Sequence, residues 1–282
     1  PAEFVYVPFL PDGYQPLADG ISTGLACHSS FERAATGAVL EVVERDAFML
    51  FWYLGESRAH LDVNSIRDEG SRQIVRQLQR VGYELYIVDV SDSSLCPVML
   101  CIAFHSHSGF PKATIGLGAD RSPRLAVLKA LEELALGVLG MRKLLLRRPV
   151  EYPRSFRTLD DHGFWYAADP ELSQNLRRKL SNSREIGFSE MMEKYCEVSE
   201  ISALEEWMLG VSESLGDIFL CDITTRDVAE VGLSVVRAVV PGAQPLDIDH
   251  ERRALGHSRL RGAMSVKGVP ESSICGDPHP FP

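Results

Sequence analysis

The sequence contains no Cys-x-x-Cys pair, no apolar run long enough to span a bilayer, no signal peptide and no basic excess. Each absence removes a class of protein. The six cysteines, Cys27, Cys96, Cys101, Cys196, Cys221 and Cys275, are scattered, which argues against a zinc site and a disulfide framework and fits a reducing cytoplasm. Without a long apolar run, no membrane-spanning role is expected. A net charge of −10 would repel a phosphate backbone, and basic residues gather only weakly at Arg142, Lys143, Arg147 and Arg148, so no nucleic-acid partner is expected. What is present, 282 residues at 45% hydrophobic with no repeat or low-complexity linker, suffices for a substantial core in one domain.

The stretch Gly24-Leu25-Ala26-Cys27-His28-Ser29-Ser30-Phe31-Glu32-Arg33-Ala34 reads as a loop feeding a helix. Ser29 or Ser30 supplies the cap, and the proline-free run rich in Ala, Leu, Val and Glu predicts a helix over residues 31–53. At the 3.6-residue period Ala34, Gly37, Glu41, Glu44, Arg45 and Phe48 share one side. Val39, Val42, Val43, Ala47 and Leu50 cover most of the rest, so the helix is expected to be buried. Carboxylates there must be neutralised, because an unpaired buried charge takes up a proton or recruits a cation. Arg45 can serve Glu41, which leaves Glu44 over. Ala34 and Gly37 beneath the carboxylates leave room for another body, and a divalent ion carrying phosphates fits. The competing expectation is an ordinary Glu41–Arg45 helix pair with Glu44 at the surface.

Around this helix the pattern predicts a strand over 4–10 ended by a turn at Pro11-Asp12-Gly13, and an amphipathic helix over 65–82 using Ile74, Leu78 and Val81. Strands follow over 83–90 and 96–104, then a helix capped by Ser122 that starts at Pro123 and runs to about 146. A helix over 199–216 and strands over 218–224 and 232–240 complete an α/β fold, a mixed sheet with packed helices. On the helix from Pro123, Ala126, Ala130, Glu133, Gly137 and Gly140 share a face, one carboxylate among small residues; close packing alone is the alternative. His105 and His107 are expected at the surface rather than on a metal, because no third ligand is adjacent. Arg237, inside an apolar strand, is expected in a core ion pair. Pro278, Pro280 and Pro282 alternate, which stiffens the terminus into an extended rod that can be threaded into a cavity; a loose exposed end is the alternative.

Gly-Leu-Ala-Cys-His-Ser-Ser followed by Leu-Glu-Val-Val-Glu-Arg-Asp-Ala-Phe resembles the second nucleotide-binding motif of the YcaO family, whose ExxERD core lies on a helix and holds magnesium and ATP. Pro278-His279-Pro280-Phe281-Pro282 resembles the PxPxP tail of that family's azoline-forming cyclodehydratases, and the helix opened by Ser122-Pro123 resembles its third motif. Asp160-Asp161-His162 with Tyr166 resembles a linker that serves the family as scaffold.

The resemblance implies a YcaO-type ATP-binding fold, with residues 1–282 as the C-terminal portion of a single domain and a first ExxER-bearing motif upstream. Pro1 and Ala2, with no initiator Met, lead to the same expectation of a fragment or a processed product. The implied cofactors are ATP and Mg2+, with Glu41, Glu44 and Glu133 on the metal and these three, Ser29 and Arg45 on the nucleotide. The implied catalytic segment is Pro278, Pro280 and Pro282, the terminal carboxylate moving protons. The implied reaction is ATP-dependent conversion of Cys, Ser or Thr in a ribosomally made precursor peptide to thiazoline or oxazoline. A leader-peptide-binding partner protein and a homodimer are further expectations from the family. The sequence departs from the family at Leu136 and Gly37, where Gln is common, at Ser29 for Asn and at Arg33 for Glu. Each departure removes a polar contact, so a divergent or weakened nucleotide site is expected. The alternatives are a catalytically weak scaffold subunit and a thioamide-forming enzyme, against which the tail argues.

Overall fold

The computed structural model describes residues 1–9, 12–13, 15, 17, 20–92, 96–106, 109–147, 154–180, 183–195 and 204–282. Pro11, His107, Arg148, Cys196 and the first turn of the helix expected from residue 199 lie outside the described residues.

Helix α1 (Phe31–Leu54) lies between two sheets. One is antiparallel, in the order β1 (Leu25–His28), β8 (Ser234–Val239), β7 (Phe219–Asp222). The other runs β5 (Ala113–Ala119), β4 (Val98–His105), β3 (Tyr83–Asp89), β2 (His60–Leu61), β6 (Glu185–Ile186), antiparallel except for the parallel pair of β2 and β6. The expected mixed sheet is thus present, joined by a second, smaller one. Ser30 rather than Ser29 caps α1, accepting from Arg33 N at 3.4 Å, and Gly55 in the left-handed region closes it. A helix covered by sheets on two sides has no wet stripe, which is why its apolar residues surround most of its circumference.

The far face of the five-stranded sheet carries α2 (Glu69–Arg80) and α3 (Pro123–Arg147). Along β4, Val98, Leu100, Ile102 and Phe104 join the α1 core, while Met99, Cys101 and Ala103 join the core beneath α2 and α3. Burial on both faces explains its unbroken apolar run. Strand β5 was not expected, because Gly116 and Gly118 interrupt its β-forming residues. They are required by α3: a Cβ on Gly116 would stand 2.3 Å from Leu134 N, and one on Gly118 2.4 Å from Ala126 O. Among the described residues the further α-helices are α4 (Leu159–Ala168), α5 (Pro170–Leu180), α6 (Phe188–Lys194), α7 (Leu204–Leu215), α8 (Arg226–Glu230) and α9 (Ser258–Lys267).

Three expectations are corrected. Residues 4–9 form no strand; Ala2–Phe4 is a 3₁₀ turn, because the Phe4 carbonyl accepts from Arg237 Nε at 2.9 Å and Pro8 has no N–H for a ladder. Helix α2 starts later than expected, at its Asp68 cap; Val75 and Leu78 are buried but Val81, past its last turn, is 59% exposed. Arg237 is buried as expected and interacts with the charge of Glu41; it also donates to the main-chain carbonyls of Phe4 and Ile21, each at 2.9 Å. The small residues of α1 leave no space for a ligand: Ala34 is fully buried, and a Cβ on Gly37 would already meet that of Ala26 at 3.3 Å. His105 packs its ring against Tyr83, with centroids 5.0 Å apart. Among the described residues no helix is long and apolar enough to cross a membrane.

Candidate functional site

Gly24 is the hinge on which the first carboxylate is mounted. Its φ of +86° and the 2.4 Å that would separate a Cβ from the Ala238 carbonyl exclude any side chain. Its carbonyl accepts from Ala238 N at 2.7 Å, tying it to β8, and its N–H donates to Glu41 Oε2 at 3.0 Å. The other Glu41 oxygen, Oε1, stands 3.7 Å from Arg45 Nη2.

Arg45 gathers three carboxylates from two helices. Nη1 donates to Glu44 Oε1 at 2.7 Å, while Nη2 lies 3.7 Å from Glu41 Oε1 and 3.7 Å from Glu133 Oε1 on α3. The Glu133 carboxylate is held from β5, since Leu117 N donates to its Oε2. The closest partner of Arg45 is therefore Glu44, not the i,i+4 residue Glu41 that spacing favours. Nor is Glu44 a surface residue: it is 8% exposed, against a 39% exposed side chain for Glu133.

Arg45, with Arg237 acting on Glu41, does not neutralise three buried carboxylates. Burial foremost, and then the charges of Glu133 and Glu41, push the Glu44 carboxyl up to about 7 against the opposing charge of Arg45. Glu41 and Glu133 are likewise raised by burial, with Arg45 the main opposing influence. This shortage of positive charge is the property that a divalent cation would correct. Among the described residues, however, no three His, Cys, Asp or Glu converge closely enough to hold a metal alone. Arg45 occupies the centre and keeps the carboxylates apart. The set fits magnesium in its usual mode, one or two carboxylates with phosphate oxygens and water completing the shell.

Asp46, the next residue, points elsewhere. It is 2% exposed, accepts from Gln244 N at 2.7 Å and is clamped by Arg259, whose Nη2 also reaches Asp92 at 2.6 Å. Its part is to fix α1 against α9 and the loop before it.

The proline tail comes to this cluster from the other end of the sequence. The guanidinium of Arg45 lies over the Phe281 ring, 4.0 Å from its centroid, and Phe281 is 5% exposed. Prolines 278, 280 and 282 have no N–H, so the segment is held largely through its carbonyls. Trp52 Nε1 donates to Asp277 O at 2.9 Å, Tyr166 Oη to Pro278 O at 2.7 Å and His162 Nδ1 to His279 O at 2.8 Å. His279 Nε2 donates to Asp247 O at 2.7 Å while its Nδ1 accepts from Phe281 N at 3.3 Å, which defines a neutral tautomer. Pro282 rests on Gly163, where a Cβ would come within 2.6 Å of the proline ring. The terminus is not loose: His279 is 2% exposed.

Of the residues singled out in the sequence, Glu41, Glu44, Arg45 and Glu133 are brought together, with Phe281 laid on Arg45. Ser29 is not. It is exposed before the first turn of α1, bonds His28, and lies roughly 15 Å or more along the helix axis from Glu41 at 1.5 Å per residue. The residues that sequence reasoning missed are the tail's holders, His162, Tyr166, Trp52 and Asp247. The i,i+4 spacing of His162 and Tyr166 places both donors on one face of α4, a signal that reads as scaffold until the tail is seen against it.

The YcaO family, described as YcaO cyclodehydratase, ATP- and Mg2+-binding, matches residues 1–244. An uncharacterized protein of Methanothermobacter thermautotrophicus is 28% identical over 263 residues, 89% of this chain and 63% of that protein. A solved YcaO from Methanopyrus kandleri, bound with AMPPCP and Mg2+, is 25% identical and superposes with a TM-score of 0.64 over 90% of this chain and 63% of its own. A heterocyclase in complex with substrate and cofactor gives a TM-score of 0.75 at 21% identity, covering all of this chain and 36% of that one, and so shares the fold. The chain therefore spans less than two thirds of the length of these relatives. With its ExxERD helix, its two-sheet core and a family match over most of its length, this chain belongs to the YcaO family of ATP- and Mg2+-binding proteins.

Proposed function

We propose that this chain, as part of a single YcaO domain, carries out ATP-dependent cyclodehydration of a ribosomally made precursor peptide, closing a Cys, Ser or Thr side chain onto the preceding amide to give thiazoline or oxazoline. The observation that carries the reading is the carboxylate set: Glu41, Glu44 and Glu133 gather on the Arg45 guanidinium, and burial, with the charges of Glu133 and Glu41, pushes Glu44 up to about 7 despite Arg45. The magnesium ion would supply positive charge there, and the ATP it accompanies a phosphoryl group that converts the amide oxygen into a leaving phosphate.

The chain's own residues then have distinct tasks. Gly24 N and Leu117 N each pin one oxygen of Glu41 and Glu133, leaving the other free to turn between Arg45 and a cation. Arg45 balances the carboxylates and offers charge to phosphate, and its face, covered by Phe281, is shielded from water. Ser29, if it contributes, does so at the far end of the helix. Pro278, Pro280 and Pro282 form the segment beside the cluster, and a carboxylate at Pro282 would accept the proton released as the side chain attacks. A precursor peptide, a leader-peptide-binding partner protein and a cytoplasmic setting accompany this reading, as does a homodimer. The test is Glu44→Gln, which keeps the shape and removes the charge: ATP turnover in the presence of precursor should be lost while the fold persists, and unchanged turnover would remove the reading.

A further inference from the structure

We infer that Phe281 belongs to the nucleotide site, where it sets the position of the Arg45 guanidinium, and that Tyr166 and His162 are positioning residues that hold Phe281 in place. Docking of the tail and binding of magnesium nucleotide are then linked. This rests on the reading above but goes beyond it, since that reading requires only the carboxylates and leaves the tail to the peptide.

The geometry of Arg45 divides its edge from its face. Its N–H groups along the edge point to Glu44, Glu41 and Glu133, so its orientation decides how the three carboxylates are shared. Its flat face is the surface left for an aromatic ring, and Phe281 fills it at 4.0 Å. Phe281 is itself fixed from behind by Phe48, one helical turn after Glu44, with ring centroids 5.9 Å apart. A guanidinium with bonded edges and a stacked face has little rotational freedom. Loss of the ring would leave it free to swing toward Glu44, its shortest contact, and away from a phosphate.

The support for Phe281 is a ladder of donors matched to a segment poor in donors. Asp277, Pro278 and His279 each present a carbonyl, and Trp52, Tyr166 and His162 each supply one donor. The His162 and His279 rings stack at 4.0 Å with planes 12° apart, which fixes the register. Sliding the segment by one residue would place proline where His279 donates to Asp247 O, so this docking has a single frame. Because the same Arg45 faces both tail and carboxylates, whatever stabilises one arrangement must stabilise the other by the same factor.

The experiment is calorimetric titration with Mg2+-ATP of the full-length protein, any upstream segment included, as parent and as Phe281→Leu, Phe281→Trp, Tyr166→Phe and Glu44→Gln, each first shown to be folded by its melting curve. Hydrogen exchange at the His279 and Phe281 amides is followed with and without nucleotide. Phe281→Leu should weaken nucleotide about three- to thirtyfold, the range spanned by cation–π contacts from exposed to desolvated. Phe281→Trp should restore it, which a merely structural role would not explain. Tyr166→Phe, a single-atom change, should weaken nucleotide in the same direction, and nucleotide should slow exchange at both tail amides. Loss of binding in Glu44→Gln with parent-like binding in Phe281→Leu and Tyr166→Phe would overturn the inference and leave the functional reading standing. No nucleotide binding by the full-length protein would overturn both.

Discussion

The guanidinium of Arg45 stands 4.0 Å from the centroid of the Phe281 ring, and this contact joins the carboxylate cluster of the ExxERD helix to the proline tail. Two motifs at opposite ends of the sequence thereby become one site. The tail brings an aromatic cover and a set of carbonyls, and the helix brings the charge.

The tail should respond to pH. Burial, the stacked His162 ring, His250 and Arg45 hold His279 well below its ordinary 6.5, while its bond to the Asp247 carbonyl opposes them. An undocked tail would bind a proton near 6.5 that the docked tail refuses, so docking is fully favoured above that value and weakens as pH falls below it. His162, lowered mainly by its own burial, adds in the same sense. Hydrogen exchange over residues 277–281 between pH 8 and 5.5 measures this. Faster opening at the acid end is expected once intrinsic exchange is corrected for, and pH-independent protection would contradict it.

Gly24→Ala should be severe for so small a change. The residue would carry a side chain at φ +86° and press its Cβ to 2.4 Å from the Ala238 carbonyl, while Glu41 depends on its N–H. Strain and overpacking together suggest a loss of roughly 2–5 kcal/mol in urea denaturation. A loss below about 1 kcal/mol would mean that the β1–β8 junction can relax, and that Glu41 is not anchored as described.

Arg259→Met should destabilise the fold without touching the carboxylate cluster. It leaves Asp46, 2% exposed, with a buried charge and the Gln244 N–H as its remaining recorded donor. Breaking a buried pair of this kind costs about 3–5 kcal/mol. The double variant Asp46→Asn, Arg259→Met should recover more than half of the loss in the same denaturation experiment. Failure to recover would show that Arg259 acts through Asp92 rather than through Asp46.

Much of this site could be read from residue order, and the parts that could not share a physical reason. Glu41, Glu44 and Arg45 are close in sequence, so helical spacing predicts their meeting. Which carboxylate Arg45 prefers depends on burial, and burial is set by sheets that periodicity does not describe. The β5 strand was hidden by Gly116 and Gly118, residues that weaken a strand locally and are present because α3 lies on it. The small residues of α1 and α3 suggested space for a ligand; most of them instead receive a neighbouring strand or helix. The spacing of His162 and Tyr166 read only as scaffold, because the groups they bind are carbonyls of Pro278 and His279, and a carbonyl has no side-chain signature. The register of the tail is a tertiary fact.

The measurement that tests the account most directly is the affinity for Mg2+-ATP of the parent protein against Glu44→Gln, with thermal stability followed in parallel. Because the Glu44 carboxyl is pushed up to about 7, its neutral form is already nearly as stable as its charged one near neutral pH. The unfolded carboxyl, at its ordinary 4.5, ionises more readily than the folded one, so the amide should leave the melting temperature unchanged or raised rather than lowered. Nucleotide affinity should nonetheless fall at least about tenfold, since a cation that needs this charge loses a ligand. A variant that melts like the parent and binds Mg2+-ATP as tightly would contradict the central claim that the carboxylates around Arg45 form the nucleotide site.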